Sequence, residues 1–182
     1  WLRERDMAVP LNTAARFVSR LAYAVGHAHN RGVLHRDLKP GNVLLDPDRS
    51  AVDGEGDSTN LDQYSPRISD FGLAKLADAE GDETRSRAVL GTPSYMAPEQ
   101  ASGDIANVGT AAELYGLGAI LYELITGKPP FRKATDIATL QAIQFEDVVA
   151  PRRLRPDVPR ELEAICLKCL EKSPTRRYAT AM

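Results

Sequence analysis

The stretch His35-Arg36-Asp37-Leu38-Lys39-Pro40-Gly41-Asn42 sets a carboxylate, an ammonium group and an amide on one polar loop between two apolar pieces, Val33-Leu34 and Val43-Leu44-Leu45. Pieces that short suit small strands framing a loop. An Asp two residues before a Lys suits orienting a hydroxyl while the cation faces a transferring anion. Further along, Arg67 to Ser69 reads as another short strand and leads into Asp70. A carboxylate there suits holding a hard cation through oxygen, with Asn42 supplying a matching amide oxygen. Together these are the parts of metal-assisted phosphoryl transfer, in which positioning and charge stabilisation do most of the work. The plainer alternative is a polar surface loop beside a strand-end Asp.

Around this centre the chain reads as one mostly helical domain. Thr13 to Asn30 carries Phe17, Val18, Leu21, Val25 and Ala28 at helical spacing, with Asn12 as the expected N-cap and Gly32 just past the end. Asp46 to Pro66 includes the acidic, Gly/Ser-containing run VDGEGDSTN and reads as a surface insertion. Lys75 to Gly91 is polar, lacks any period and reads as a long loop, a type that is usually functional or disordered. Ala111 to Ile125 carries Leu114, Leu117, Leu121 and Leu124 as an expected core-facing stripe and stops at Gly127-Lys128-Pro129-Pro130. Gly116 and Gly118 inside it lower helix propensity, which predicts close packing against another element. A weaker helix is expected over Thr135 to Gln144. A stronger one spans Glu161 to Leu170, with Leu162, Ile165, Cys166 and Cys169 on one face.

Composition narrows the class. The 182 residues carry a net charge of -2, and 26% of them are charged. That balance argues against a nucleic-acid coat or a polybasic membrane binder. Two cysteines are too few for a disulfide scaffold and fit a reducing compartment. Cys166 and Cys169 read as core rather than half a zinc site, since no second pair exists. The longest uncharged apolar run, Leu114 to Tyr122, falls well short of the roughly 20 residues that span a bilayer. Trp1 to Met7 carries charges of both signs and no apolar run, so no signal peptide is expected, and a chain opening on Trp is expected to be a piece of a longer product. His27 and His29 read as a helix face and its cap, and Arg152-Arg153-Leu154-Arg155 as a solvated connection.

The sequence resembles protein kinases of the serine/threonine class, in a bacterial form. The resemblance rests on HRDLKPGN at 35–42, Asp70-Phe71-Gly72, and Gly91-Thr92-Pro93-Ser94-Tyr95-Met96-Ala97-Pro98-Glu99, in the family's order, and it extends to Lys172-Ser173-Pro174-Thr175-Arg176-Arg177. It implies an α+β, protein kinase-like fold in which residues 1–182 form the mostly helical C-terminal lobe with a few short strands. The catalytic loop is then 35–42, the acidic insertion about 46–66 and the activation segment 70–99. The implied activity is transfer of the ATP γ-phosphate to Ser or Thr hydroxyls of protein substrates, with Mg²⁺. The resemblance implies that Asp37 orients the hydroxyl and that Lys39 meets the γ-phosphate. It implies that Asn42 and Asp70 hold Mg²⁺, that Phe71 packs beneath the site and that Gly72 lets the loop turn. Thr92 is implied to bond near Asp37 and Lys39, and Glu99 to pair with Arg177. It also implies that Arg36 receives a phosphate from the activation segment, with Thr84 and Ser86 as candidate acceptors.

Two departures stand out. No G-x-G-x-x-G precedes the catalytic loop, so the small N-terminal lobe that roofs ATP is missing from this stretch and expected upstream; the isolated chain is expected to be inactive. Glu113 replaces the Asp that, in the family, braces the catalytic-loop backbone, and its extra methylene is expected to loosen that loop. The runner-up reading is a kinase-like scaffold that binds partner proteins without catalysis. Intact Asp37, Asn42 and Asp70 weigh against it. A metal-dependent phosphatase or nuclease lacks the His/Asp clusters it needs. Dependence on ATP and the cysteine usage point to the cytoplasm.

Overall fold

The computed structural model describes residues 8–47, 61–71, 93–104 and 108–182. Around one central helix it arranges α1 (Leu11–His29), a two-stranded antiparallel hairpin of β1 (Val43–Pro47) and β2 (Tyr64–Ile68), and the short α2 (Pro98–Ala101). The central helix is α3 (Thr110–Thr126), followed by α4 (Asp136–Phe145), the short α5 (Pro151–Leu154) and α6 (Arg160–Cys169). The loop at 75–91, and within it Thr84 and Ser86, lies outside the described residues, as do Gly72, Thr92 and the middle of the insertion.

α3 organises the rest. Its residues are buried without a break from Ala112 to Tyr122, and again at Leu124 and Ile125. The expected leucine stripe is therefore too narrow, because a helix apolar all round is enclosed on every side. α1 and α6 pack along it, and burying each of Leu117, Ile120 and Leu121 contributes about 1.5–3 kcal/mol. The two glycines do what their propensity cost predicts. A Cβ on Gly118 would stand 2.5 Å from the Cys169 Cβ, and one on Gly116 would stand 3.1 Å from the Leu38 carbonyl oxygen. Gly118 thus admits α6, and Gly116 admits the 35–42 loop at Leu38. The helix ends at Gly127, whose φ of 81° lets its N–H turn back to the Glu123 carbonyl.

α1 buries Phe17, Val18, Leu21 and Val25 as expected, but it starts earlier than expected. Pro10 stands at the N-cap and Asn12 lies exposed inside the first turn, while Val9 N donates to Leu124 O at 2.9 Å and anchors the entry. On α4, Thr135 does cap: its Oγ1 accepts from Ala138 N. On α6, Cys166 and Cys169 are buried, and burial pushes both thiols up, Cys169 to about 11, as inert core sulfurs require. Ile165, expected on the same buried face, is 45% exposed because it lines an open apolar groove between α1, α3 and α6. The arginine run is not a simple solvated connection either. Residues 151–154 form α5, and Arg155 Nη1 donates to Val9 O at 2.8 Å and Ile125 O at 3.2 Å.

The hairpin also differs from the expectation. Val33-Leu34 forms no strand; β1 pairs instead with β2, Val43 opposite Ile68 and Pro47 opposite Tyr64. Pro66 is tolerated because a two-stranded sheet consists of edges. The insertion is accordingly shorter than 46–66: Asp46 and Pro47 belong to β1, and Tyr64 to Pro66 belong to β2. Its exit turn, Leu61–Gln63, docks on α1, where Asp62 accepts from Thr13 Oγ1 at 2.8 Å and from both Nε and Nη2 of Arg16. The Arg16 guanidinium holds the Asp62 carboxyl below the usual carboxylate range.

Candidate active site

The polar loop follows α1 and ends in a tight 3-10 turn, Pro40–Asn42, that feeds straight into β1. On it, the Lys39 ammonium donates to Oδ2 of Asp37 at 2.6 Å. The Asn42 amide donates to the same Oδ2 at 3.1 Å and to the Asp37 carbonyl at 2.7 Å. Two charged or polar groups therefore fix one carboxylate rotamer. Ser69 N donates to Asn42 O at 2.9 Å, so the end of β2 brings Asp70 alongside.

His35 ties the two loops together. It is buried, and its Nε2 lies 2.7 Å from the Ser69 carbonyl, which can only accept, so Nε2 carries the proton. Nδ1 is then free to accept from Asp37 N at 3.2 Å. The Phe71 ring meets the His35 ring edge-on at 4.9 Å. Phe71 is 38% exposed and flanks His35. Arg36 and Asp70, neither of them glycine, sit at φ 69° and 60°. Left-handed backbone of this kind costs about 1–3 kcal/mol per residue and persists only where the surroundings hold it.

Glu113 supplies much of that hold. From the first turn of α3 its Oε1 accepts from the backbone N–H of His35 and, at 2.9 Å, of Arg36. The extra methylene does not take the carboxylate out of reach of the loop. Its second oxygen lies 2.8 Å from Nε2 of His29, on the last turn of α1. His29 is thus a partly buried partner of the brace, not a helix cap. Its only sequence signal was its type, six residues before His35. Next to the loop, Arg177 donates from Nη1 and Nη2 to the two oxygens of Glu99 on α2 at 2.7 and 2.8 Å, making the buried pair that the resemblance implied.

Among the described residues no group of three or more His, Cys, Asp or Glu side chains is placed to hold a metal ion. The residues present still fit Mg²⁺, which keeps several waters and is bound by one or two carboxylates together with substrate phosphates. Asp70 is exposed, and Asn42, by turning its Nδ2 to Asp37, leaves its Oδ1, the atom a cation would take, off that bond. Among the described residues no helix is long and apolar enough to cross a membrane.

A family model described as the protein kinase domain matches residues 1–182. The chain is 44% identical over 165 residues to the DNA damage-responsive serine/threonine-protein kinase RqkA of Deinococcus radiodurans, an alignment covering 91% of this chain and 22% of that protein. It is 36% identical over 177 residues to the serine/threonine-protein kinase PknB of Mycolicibacterium smegmatis, covering 97% of this chain and 26% of the relative. With the serine/threonine-protein kinase Pkn1 of Myxococcus xanthus it shares 40% identity over 163 residues, 90% of this chain and 22% of the relative. It spans about a quarter of the length of these relatives. With Asp37, Lys39 and Asn42 brought together on one loop and the whole chain matched, this protein belongs to the protein kinase domain family, in its bacterial, eukaryotic-like serine/threonine form.

Proposed function

We propose that the chain is the large, C-terminal lobe of a kinase that transfers the γ-phosphoryl group of ATP to Ser or Thr hydroxyls of protein substrates. The observation that carries this reading is the convergence of Lys39 and Asn42 on one oxygen of Asp37, with Asp70 brought alongside through Ser69. So held, the Asp37 carboxylate is oriented to take the proton of the incoming hydroxyl, whose oxygen forms the new P–O bond as ADP leaves. Lys39 offers a fixed positive charge beside that carboxylate, where the transferring group gathers negative charge. Asn42 and Asp70 are the residues to hold Mg²⁺, which when bound neutralises phosphate charge. A mostly helical architecture with one small hairpin supports the lobe assignment. ATP binding and turnover then need a second, sheet-rich lobe to cover the nucleotide.

The test is Asp37→Ala in the two-lobed enzyme. Loss of the proton acceptor lowers kcat by about 10²–10⁴, with the thermal midpoint held. Steady-state turnover within a few-fold of wild type refutes the role.

A further inference from the structure

We propose that Gln100 is a positioning residue for catalysis: its side-chain amide ties helix α2 to the one peptide plane that aims Asp37. Its Nε2 donates to the Arg36 carbonyl at 2.8 Å, and its Oε1 accepts from Ala97 N at 3.0 Å. Both ends of a half-buried amide are thus engaged, across 64 residues of sequence on the Arg36 side. The Arg36 carbonyl and the Asp37 N–H belong to the same planar peptide unit. Gln100 grips that unit by its oxygen, while His35 Nδ1 grips it by its N–H at 3.2 Å. A plane held at both edges cannot rotate, so the direction in which the Asp37 side chain leaves the backbone is set.

The hold matters because Arg36 sits at φ 69°, which a non-glycine residue leaves readily when released. Glu113 holds Arg36 by its N–H, and Gln100 holds it by its C=O. Neighbouring Glu99 is pinned by Arg177, so α2 is itself a fixed base from which Gln100 reaches out. The segment before α2 includes Pro93 to Tyr95, so the tether links the fold of that segment to the aim of the catalytic carboxylate. This inference rests on Asp37 being the group that receives the hydroxyl proton.

Gln100→Glu separates tethering from helix capping, because it keeps the oxygen for Ala97 N and replaces the donor to Arg36 O with a second acceptor. In the two-lobed enzyme, Gln100→Glu is expected to lower kcat about 10–100-fold, as misplacement of a reacting group does, with KM for ATP and the thermal midpoint unchanged. On the chain itself, the amide hydrogen of Asp37 exchanges faster in Gln100→Glu and in Gln100→Ala than in wild type. Unchanged kcat in Gln100→Glu overturns the proposal, as does an Asp37 amide that exchanges at the wild-type rate. A fall in kcat that only tracks loss of the folded fraction overturns it too. Asp37→Ala measured alongside separates the two readings. An inactive Asp37→Ala with an intact Gln100→Glu removes this inference alone, whereas an active Asp37→Ala removes the functional reading and this inference with it.

Discussion

Truncating Arg177 to Ala tests how the short helix α2 is fastened to the rest of the domain. The Arg177 side chain is 0% exposed and that of Glu99 is 6% exposed. Nη1 donates to Glu99 Oε1 and to Ala111 O, Nη2 to Glu99 Oε2 and to Lys172 O, and Nε to Glu171 O, at 2.7 to 3.0 Å. A guanidinium has five N–H donors, and here each is placed on an acceptor. Arg177→Ala therefore leaves a buried carboxylate without its cation, takes one donor from each of the Ala111, Glu171 and Lys172 carbonyls, and removes the cation over the Tyr115 ring. Breaking a buried pair from one side costs about 3–5 kcal/mol, and the donors lost by these carbonyls put this case near the upper end. Against a total stability of about 5–15 kcal/mol, that is a third or more. At about 2–4 °C per kcal/mol for a chain of this size, the melting temperature falls by about 10–20 °C. The assay is equilibrium urea unfolding followed by circular dichroism, with Glu99→Ala and the double variant completing a cycle. The double variant is expected to lose clearly less than the sum of the single ones, since each single change strands the other partner. A loss below about 1 kcal/mol for Arg177→Ala, or simple additivity in the cycle, refutes the reasoning.

Two further outcomes follow from the same packing and electrostatics. Gly118→Ala places a Cβ 2.5 Å from the Cys169 Cβ, so α6 must shift; overpacking of about 1–3 kcal/mol outweighs the roughly 1 kcal/mol gained in helix propensity, and the urea midpoint falls. A midpoint at or above wild type contradicts that contact. Lys172, whose ammonium reaches the Ala142 and Ile143 carbonyls at the end of α4 and lies 4.2 Å over the Phe131 ring, is pushed down to about 8 by burial. Below that pH the amine is charged in both states and disfavours folding. As pH rises from about 8 towards its usual 10.5, the folded chain gives up its proton first and the penalty fades. The melting temperature of wild type relative to Lys172→Met is therefore expected to rise between about pH 7 and pH 9.5, and a falling difference reverses the sign of the argument.

What the sequence determined by itself is whatever lies within a helical turn or a single loop. The apolar spacing of Phe17 to Val25 marks α1, and Gly127 and Thr135 mark a helix end and a helix start, because the physics there is local. Asp37, Lys39 and Asn42 share one loop of eight residues, so their convergence was legible in their types and spacing. The helical Gly116 and Gly118 announced that something approaches closely, but not that it is the Leu38 backbone and Cys169. The tertiary structure alone decided the rest. It paired β1 with β2 and left Val33-Leu34 without a strand, since a strand is complete only when another backbone satisfies it. It buried α3 on all sides, where the leucines alone suggested one stripe. It joined His29 to Glu113 across 84 residues and Gln100 to Arg36 across 64. Such pairs leave no local period, because a side chain's hydrogen-bond partner depends on where folding brings the two backbones. The left-handed turn at Arg36 is held at its N–H by Glu113 and at its C=O by Gln100, groups 77 and 64 residues away.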